Sequence, residues 1–573
     1  MKYKEFIPLG LILILAVFLR VLWLDRVPGA IAGDELTYIL PIKSVVLSGQ
    51  DFSFHWNILK SLFFSYPTTL PQAELPYFLL YPAVGYLPMN LFTTTITYAL
   101  LSAATAFAMF LFVGKLLNRK AGLIAALVVS VNPWQIFTGR TVYETVPAAL
   151  FFILTLYFLI NERGKRIFIA APFAALAFYS YIGTKIVFLP IIFAVSFFAY
   201  FENKNLPAGR QGKFGREILA VNIFCILLVL FFSFETLRAP NRASEIALPS
   251  DPSIAKQVNV LRKNSIAPNS VTNIFVNKYT VYTEVMTTKM LGAFSPGYLF
   301  ISGDNFTSLY GHGMFYAVDA LFFILGLAYL VKRGRSFVLV LSLIFLATLP
   351  HVLHTTSTDI FTPHLALFMT FLIIPIAFGI SEVLELFKSK LVLFVVILIY
   401  IVSASNFFYV YFFQYPLAGN YDFPARLAAR YILLASNTKK TNVYVSGLDD
   451  FYKKYVYYTN SLNSKNFAQI KNSVNSKKYK LGNINFYPCG DVLKTLDPRA
   501  VTIYQSSICE PFALEGKDEK ISRLDDGGEI YKIYGDQICR NYGLSGYPSN
   551  LKISDFSVEN LSTQKFCETF ISR

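Results

Sequence analysis

The sequence is poor in charge. Only 15% of its 573 residues are Asp, Glu, Lys or Arg, whereas soluble domains carry roughly 25%. Hydrophobic residues make up 54% of the chain and aromatic residues 16%, so too few ionisable groups remain to cover a water-exposed surface. This composition excludes a soluble globular protein, a disordered chain, a collagen and a coiled coil, and it predicts a polytopic membrane protein.

Long apolar runs recur along the first part of the chain. Crossing a hydrocarbon core of ~30 Å takes roughly 17–25 residues. Candidate spans lie near residues 6–24, 92–113, 121–137, 144–160, 167–181, 186–201, 217–234, 315–331, 337–353, 364–386 and 391–413. Because no small-residue cleavage site follows the first run, we expect a retained helix rather than a signal peptide. The sequence thus predicts an α-helical polytopic membrane domain of about eleven transmembrane helices over residues 1–413.

The basic residues are distributed unevenly between the two faces of this arrangement. The chain has 51 Lys and Arg against 35 Asp and Glu, a net charge of +16. With the N-terminus inside, seventeen basic residues fall on the cytoplasmic face and five in the short loops of the other face, as the positive-inside rule requires. We predict a multi-pass plasma-membrane protein with a cytoplasmic N-terminus and an extracytoplasmic C-terminus. Its charge is explained by insertion into the lipid bilayer and needs no nucleic-acid partner.

Three larger segments then fall on the outer face: a loop at 25–91, a second loop at 235–314 and a tail at 414–573. The tail predicts a small α/β extracytoplasmic domain, because short β-prone runs alternate with polar, Gly-bearing stretches. These runs lie at 442–446, 455–459, 500–504 and 529–534.

Four of the five cysteines lie in this tail: Cys489, Cys509, Cys539 and Cys567. An even number of cysteines on the oxidising side of a membrane indicates two disulfides, with three pairings open. A zinc site is the alternative, but the sequence contains no C-x-x-C pair. The fifth cysteine, Cys225, lies inside a predicted span.

The first outer loop carries Gly33-Asp34-Glu35 close to the membrane surface. Adjacent side chains point in different directions, so one carboxylate can face a reacting group while the other binds its own partner. A carboxylate at this level is suited to take a proton from a hydroxyl as a general base. The alternative is a solvated helix start with Asp34 as its cap.

Two further outer-facing stretches carry cations. Arg140 and Glu144 follow Asn132-Pro133-Trp134, and they are spaced for an i, i+4 ion pair. Arg is also suited to a lipid phosphate, because its planar fork matches phosphate oxygens. Lys185 follows Tyr179 and Tyr181 in the next outer hairpin. Either cation alone is compatible with a snorkelling anchor, whereas two on one face favour an anion site.

The second outer loop presents Asp304 and His312 in a Gly- and Pro-rich stretch, which indicates a folded loop or lid. These two residues alone would under-coordinate a metal ion. The sequence therefore commits to no cofactor: Asp34, Glu35, Asp304 and His312 could meet around a divalent metal ion or stay apart.

These stretches, in this order, resemble the GT-C superfamily of membrane glycosyltransferases. The likeness is to the glycosyltransferase family 39 group that includes protein O-mannosyltransferases and the lipid A aminoarabinose transferase. It rests on Gly33-Asp34-Glu35, on Asn132-Pro133-Trp134 with Arg140 and Glu144, on Tyr179-x-Tyr181 with Lys185 where Arg is usual, and on Phe294-Ser295-Pro296-x-x-Leu299-Phe300-x-x-Gly303-Asp304. It covers about residues 1–380. Where such proteins often have an Arg shortly after a Pro, this chain has Pro363-His364.

The resemblance implies an inverting transfer of a sugar from a polyprenyl-phosphate donor to a hydroxyl acceptor on the outer face. The acceptor is a protein, a lipid or a polysaccharide. It implies Asp34 as the general base with Glu35 beside it. Arg140 and Lys185, with Tyr179 and Tyr181, would bind the donor phosphate. The residues left as further substrate contacts are Glu144, Asp304, His312 and His364. An activated donor needs no nucleotide site, and the sequence contains neither a Walker A loop nor a G-x-G-x-x-G loop.

Two alternatives stay open. An O-antigen polymerase or ligase would use longer lipid-linked glycans, with Arg and His of a large outer loop as its main set; the second loop offers Arg238, Arg242, Arg262 and His312. A transporter or flippase for lipid-linked sugars would carry ionisable residues in mid-span and paired, interrupted helices.

Overall fold

The structure, a computed structural model, describes residues 7–49, 73–161, 164–202, 208–238, 252–304, 308, 311–354, 359–417, 423–489, 499–506, 508–509, 518–544 and 551–573. Much of the first outer loop lies outside this part of the chain. So does Arg242 of the second outer loop. Three basic or Pro residues of the predicted loops, Lys60, Pro71 and Arg163, also lie outside it.

Helices dominate residues 7–417. In chain order they are α1 (Ile7–Val21), α2 (Gly33–Ser48), α3 (Leu75–Leu80), α4 (Leu91–Leu116), α5 (Arg119–Val131), α6 (Pro133–Gly139), α7 (Thr145–Asn161), α8 (Ala170–Ser180), α9 (Lys185–Glu202), α10 (Ala208–Arg238), α11 (Ser253–Lys263), α12 (Asn269–Phe275), α13 (Lys278–Ala293), α14 (Ala317–Val331), α15 (Arg335–Leu346), α16 (Leu349–Val352), α17 (Ala366–Phe387) and α18 (Lys390–Tyr409). Short 3₁₀ or π turns lie at Tyr81–Gly85, Gly164–Ile169, Gly297–Ile301, Thr362–Leu365, Val410–Gln414 and Tyr415–Leu417.

Each predicted span corresponds to a helix. Within the described ranges six helical segments are long and apolar enough to cross a membrane, or seven if the bent pair α5 and α6 forms one span. Four apolar helices are shorter, namely Ile7–Val21, Leu75–Gly85, Thr145–Asn161 and Ala317–Val331. The polytopic helical architecture is thereby confirmed, while the count of eleven spans stays a prediction.

Small residues allow the closest helix contacts. A Cβ added to Gly326 of α14 would lie 1.8 Å from the carbonyl oxygen of Pro375, and one added to Gly379 of α17 would lie 2.1 Å from that of Phe322. Membrane helices pack this closely because lipid supplies no hydrophobic force between them, so that backbone approach must provide the contact. The first four turns of α17 are buried on every side, which places this helix at the centre of the bundle.

The bend between α5 and α6 positions one of the sequence motifs. The two helix axes differ by 58°. Pro133 has no N–H and is therefore tolerated only as the first residue of a new helix. The side chain of Asn132 caps that helix by accepting the backbone N–H of Gln135 at 3.0 Å. The chain consequently turns between the two helices and presents residues 140–145 to the first outer loop.

The tail forms a mixed sheet with helices on it. The strands are β1 (Thr441–Val445), β2 (Lys480–Leu481), β3 (Ile484–Pro488), β4 (Val501–Gln505), β5 (Glu519–Ser522) and β6 (Glu529–Gly535), and the helices are α19 (Phe423–Ser436), α20 (Leu448–Tyr458), α21 (Phe467–Ser476) and α22 (Thr563–Phe570). Two 3₁₀ turns lie at Ile553–Phe556 and Val558–Asn560. The strand order is β2-β3-β1-β4-β6-β5. Strand β1 runs parallel to β3 and β4, and the other pairs are antiparallel.

One predicted strand is wrong. The run 455–459 falls at the end of helix α20. Its aromatic residues have β propensity, but Phe451, Tyr452 and Tyr455 recur at helical spacing, and all three are buried and contact Phe486 of strand β3. Burial of that face outweighs the local preference.

The structure pairs Cys489 with Cys509 and Cys539 with Cys567. Cys225 is buried in α10 as a free thiol.

The tail and the first outer loop share one apolar core. Buried residues of α2, such as Leu36, Ile39 and Ile42, belong to the same packed cluster as α19, α20 and the sheet. Hydrogen bonds cross the same boundary: Ile31 N donates to the phenol oxygen of Tyr458 at 2.9 Å, and Met89 N donates to Asn460 Oδ1 at 3.0 Å. The tail therefore forms part of the support of the acidic motif.

Candidate active site

The acidic motif begins helix α2. The backbone of Ala32 is extended and forms the N-cap, and Glu35 occupies the third helical position. Glu35 Oε2 accepts the backbone N–H of Ala32 at 2.7 Å, which closes half of a capping box. Asp34 is therefore not the cap, and lies instead in the first turn of α2. Its side chain is exposed and faces a cleft.

Glu35 also joins two sequence motifs. Its second oxygen, Oε1, accepts the backbone N–H of Val142 at 2.5 Å, and the side chain is buried. Burial raises the pKa of Glu35 to about 7, against the opposing effect of the two N–H donors and with a smaller contribution from Asp34. The two neighbouring carboxylates thus have different tasks: Glu35 holds the loop, and Asp34 is exposed.

The cleft beside Asp34 has a volume of about 260 Å³. Its walls come from separate stretches of the chain: Asp34 and Tyr38 of the first loop, Glu144 before α7, Tyr181 before α9, and the pair His354 and His364. The structure therefore brings together Asp34, Glu35, Glu144, Tyr181 and His364 of the predicted set.

Glu144 lies beside α2 in the wall that also carries Asp34. One oxygen accepts the phenol of Tyr38, whose own oxygen accepts the backbone N–H of Ala73 at 3.1 Å. The other oxygen, Oε2, is buried and has no hydrogen-bond partner among the described residues. Burial raises the pKa of Glu144 to about 8, against the hydrogen bond from Tyr38 and together with the charges of Glu74 and Asp34. The raised pKa favours the protonated form of Glu144.

Two histidines form the other side of the cleft. The rings of His354 and His364 lie 4.5 Å apart between centroids. The hydroxyl of Tyr181 is 2.5 Å from His364 Nδ1, which orients that ring. Lys289 lies behind them and donates to the carbonyl of His354 at 2.7 Å. The cleft thus has carboxyl groups on one wall and nitrogen donors on the other.

Arg140 does not enter the cleft. Its side chain is fully buried. Nη1 donates to the carbonyls of Leu19 and Arg20 at 3.1 and 2.9 Å, and Nη2 donates to that of Val27 at 3.0 Å. The guanidinium satisfies the carbonyls that end α1 and so fixes the start of the first outer loop. We therefore assign Arg140 a positioning role in place of the expected phosphate contact.

Lys185 is also held away from the cleft. Its Nζ binds both oxygens of Glu74 at 3.0 and 3.2 Å, and the two side chains are only 9% and 5% exposed. The ammonium lies 3.7 Å from the ring centroid of Phe232 and 5.5 Å from that of Tyr179. A buried pair of this kind leaves no free charge for a phosphate, so the expected donor contacts of Lys185 and Tyr179 are not present in this arrangement.

The second outer loop packs near the cleft. Asp304 accepts hydrogen bonds from the hydroxyl of Thr362 and, at 3.2 Å, from the backbone N–H of Ser308. His312 lies in a separate small cavity with Trp134 and Tyr411. The described ranges contain no group of three or more His, Cys, Asp or Glu that could hold a metal ion. Asp304 and His312 are therefore not brought to Asp34 as a ligand set.

The chain was compared with known proteins. No protein-family model and no curated protein matches it in sequence. Among solved structures it is similar to ArnT from Cupriavidus metallidurans in the apo state, with a TM-score of 0.50, 11% identity, and coverage of 92% of this chain and 99% of ArnT. The fold is of the GT-C type. At this identity the likeness concerns the fold alone, and it confirms the resemblance at that level.

Two further solved structures are similar to this chain at lower scores. ArnT bound to undecaprenyl phosphate matches with a TM-score of 0.49 and 10% identity over 94% of this chain and 100% of that chain. The oligosaccharyltransferase of Archaeoglobus fulgidus, tethered with an acceptor peptide, matches with a TM-score of 0.43 and 12% identity over 80% of this chain. This chain spans 63% of the length of that protein.

Three residues of the cleft or its support were not predicted. His354 stands three residues after His351, a spacing that places two imidazoles on one helical face and could have drawn notice. Glu74 is a lone acid in an apolar part of the first loop, which signals a buried partner. Tyr38 has no signal of its own, because tyrosine is frequent in this chain.

Proposed function

We propose that this protein is a membrane glycosyltransferase that moves a sugar from a polyprenyl-phosphate donor to a hydroxyl acceptor on the extracytoplasmic face, with inversion at the anomeric carbon. The observation that carries the proposal is the position of Asp34: it is an exposed carboxylate on a rigidly capped helix start, facing a cleft in which four separate stretches of the chain converge. The GT-C fold supports the assignment, and the cytoplasmic N-terminus and outer tail are part of it.

The chemistry follows from this layout. An acceptor hydroxyl at the cleft gives its proton to an oxygen of Asp34, and its oxygen attacks the anomeric carbon of the sugar. The bond between that carbon and the phosphate oxygen breaks on the opposite side, so the configuration inverts and polyprenyl phosphate leaves. Glu35 fixes the backbone that carries Asp34, through its hydrogen bonds to Ala32 and Val142.

The leaving phosphate is assigned to the histidine wall. His354 and His364 line the cleft, whereas Arg140 and Lys185 bind groups outside it. Imidazole N–H groups can donate hydrogen bonds to the phosphate oxygens of the bound donor and keep them as the phosphate leaves. Tyr181 orients His364 for this. His364 thereby takes the place of the Arg that related proteins often carry after a Pro.

The test is release of polyprenyl phosphate from a panel of polyprenyl-phosphate sugars by the full-length protein in lipid nanodiscs. We expect Asp34→Asn to lower release by about 10²–10⁴-fold, the range typical of general acid and base groups, with donor binding retained. Asp526→Asn, which changes an exposed acid of the tail, is the matched control and should release at the wild-type rate.

Two outcomes would favour the alternatives. Release from longer lipid-linked glycans alone would indicate a polymerase or ligase. Movement of a labelled donor across a bilayer with no release from any donor would indicate a transporter. A wild-type rate in Asp34→Asn would contradict the general-base role in either case.

A further inference from the structure

A second cavity lies where the tail meets the first outer loop. Its volume is about 370 Å³. One wall is the segment 88–92 that leads into α4, and the other is built from α19, the end of α20 and residues 557–560 of the tail. None of its lining residues lines the cleft at Asp34. The proposed chemistry leaves this cavity without a role.

The charges that line this cavity cancel. Asp25 and Glu559 supply two carboxylates, and Arg426 and Arg430 supply two guanidinium groups. Arg426 is already used, because it binds Glu559 at 2.5 Å and donates to the carbonyl of Gly29. An anionic ligand would meet the carboxylates and a cationic one the guanidinium groups. The lining therefore suits an uncharged, polar ligand.

The remaining polar groups offer donors and acceptors together. Arg430 donates through Nη2 to the carbonyl of Leu561 at 2.9 Å, but its Nε is buried and has no partner among the described residues. Asn90, Asn460 and Asn560 also line the cavity. The side-chain oxygens of Asn90 and Asn460 accept the backbone N–H groups of Thr93 and Met89, so their NH₂ groups remain as donors, whereas the exposed amide of Asn560 can both donate and accept. Phe92 and Leu433 add an apolar patch beside them.

We propose that this cavity is a binding site for an uncharged saccharide. Each sugar hydroxyl is at once a donor and an acceptor, which matches the amide and carboxylate groups of the lining, while the C–H face of the ring matches the apolar patch. The volume falls within the range of small-molecule pockets, about 300–1,000 Å³.

The site adjoins the acidic motif. Tyr458 lines the cavity, and its phenol oxygen accepts the backbone N–H of Ile31 at 2.9 Å, three residues before Asp34. A saccharide bound here lies against the segment that positions Asp34. The assignment of this saccharide to the acceptor rests on the proposed transferase function. The proposal that the cavity binds a saccharide does not depend on that function.

The experiment is saturation-transfer NMR on the full-length protein in nanodiscs, with maltose, cellobiose and N,N′-diacetylchitobiose as probes. We expect at least one disaccharide to give a saturable signal. Asn560→Ala and Arg430→Gln should weaken that binding at least tenfold. Asn560 is exposed, so its replacement leaves the fold intact. Asn475→Ala, an exposed Asn on α21, is the matched control and should bind as the wild type does.

The outcomes separate the site from the enzyme. Binding that is lost in Asn560→Ala and kept in Asp34→Asn supports the site, even if no donor is ever turned over. Absence of any disaccharide signal overturns the site, as does a signal that Asn560→Ala and Arg430→Gln leave unchanged, even if polyprenyl phosphate is released normally.

Discussion

Glu35 Oε1 accepts the backbone N–H of Val142 at 2.5 Å. This contact spans 107 residues of sequence and joins the acidic motif to the turn that precedes Glu144. It explains how two adjacent carboxylates separate their tasks, since Glu35 is used entirely on backbone groups. Asp34 can then be oriented without being buried.

Replacement of Glu35 should affect stability and turnover together. Glu35→Ala strands the N–H of the buried Val142 and that of Ala32, which costs about 1–3 kcal/mol for a buried group left unpaired. We expect a lower melting temperature and a lower kcat, with partial recovery in Glu35→Gln, because its amide oxygen can still accept. Glu385→Gln changes an exposed ion pair with Lys120 and should alter neither. A wild-type melting temperature for Glu35→Ala would contradict the positioning role.

The histidine wall should govern donor affinity. A hydrogen bond to a charged group contributes about 1.5–3 kcal/mol, so His364→Ala should raise the donor KM by about tenfold or more, with a smaller change in kcat. Steady-state kinetics of polyprenyl phosphate release measure this. His312 lines a different cavity, and His312→Ala should leave the donor KM unchanged. If both variants change the donor KM equally, the proposal that His354 and His364 bind the donor phosphate is contradicted.

The raised pKa of Glu144 predicts that the stability of the protein depends on pH. Glu144 has a pKa of about 8 in the folded protein, above its ordinary value of 4.5, so the folded state holds its proton over that interval. Its contribution to stability is present below pH 4.5 and is lost as the pH rises towards 8. We expect the melting temperature to fall over this interval, and to fall less in Glu144→Gln. An identical pH profile for wild type and variant would contradict this assignment.

The pair Lys185 and Glu74 should behave as a buried ion pair. Glu74→Ala leaves a desolvated ammonium and should destabilise the protein by about 3–5 kcal/mol. The double variant Glu74→Leu with Lys185→Met removes both charges and should be much closer to the wild type. Thermal unfolding of the three proteins tests this. If Lys185 instead binds donor phosphate, the double variant will keep its stability and lose donor affinity.

The helices of the membrane domain could be predicted because apolar runs of sufficient length have few other outcomes in a bilayer. The acidic motif could be located for a similar reason, since it directly follows a span. Arg140 could not be assigned from sequence. An Arg at a membrane surface suits a phosphate, but its actual partners are carbonyls of Leu19, Arg20 and Val27, more than a hundred residues away. The direction in which the Arg140 side chain points is set by tertiary packing, and a local sequence motif carries no information about that packing.

The same limit applies to Lys185 and to the run 455–459. Lys185 stands in a stretch that matched a family pattern, and its true partner, Glu74, lies in another loop. The run 455–459 has the composition of a strand, but its burial pattern is resolved only when Phe451 and Tyr452 are included as the same helical face. The partner of Lys185 is distant in sequence, and the helical structure of the run 455–459 depends on the burial of the preceding turn.

The shared core of loop and tail has a consequence for biosynthesis. Arg26 donates to the hydroxyl of Ser557 at 3.0 Å across 531 positions of the chain. A ribosome makes the acidic motif long before its packing partners in the tail, so the first outer loop can complete its structure only after the tail has been synthesised. We therefore expect a nascent chain that stops after the last predicted span to insert its helices and yet have no formed first outer loop.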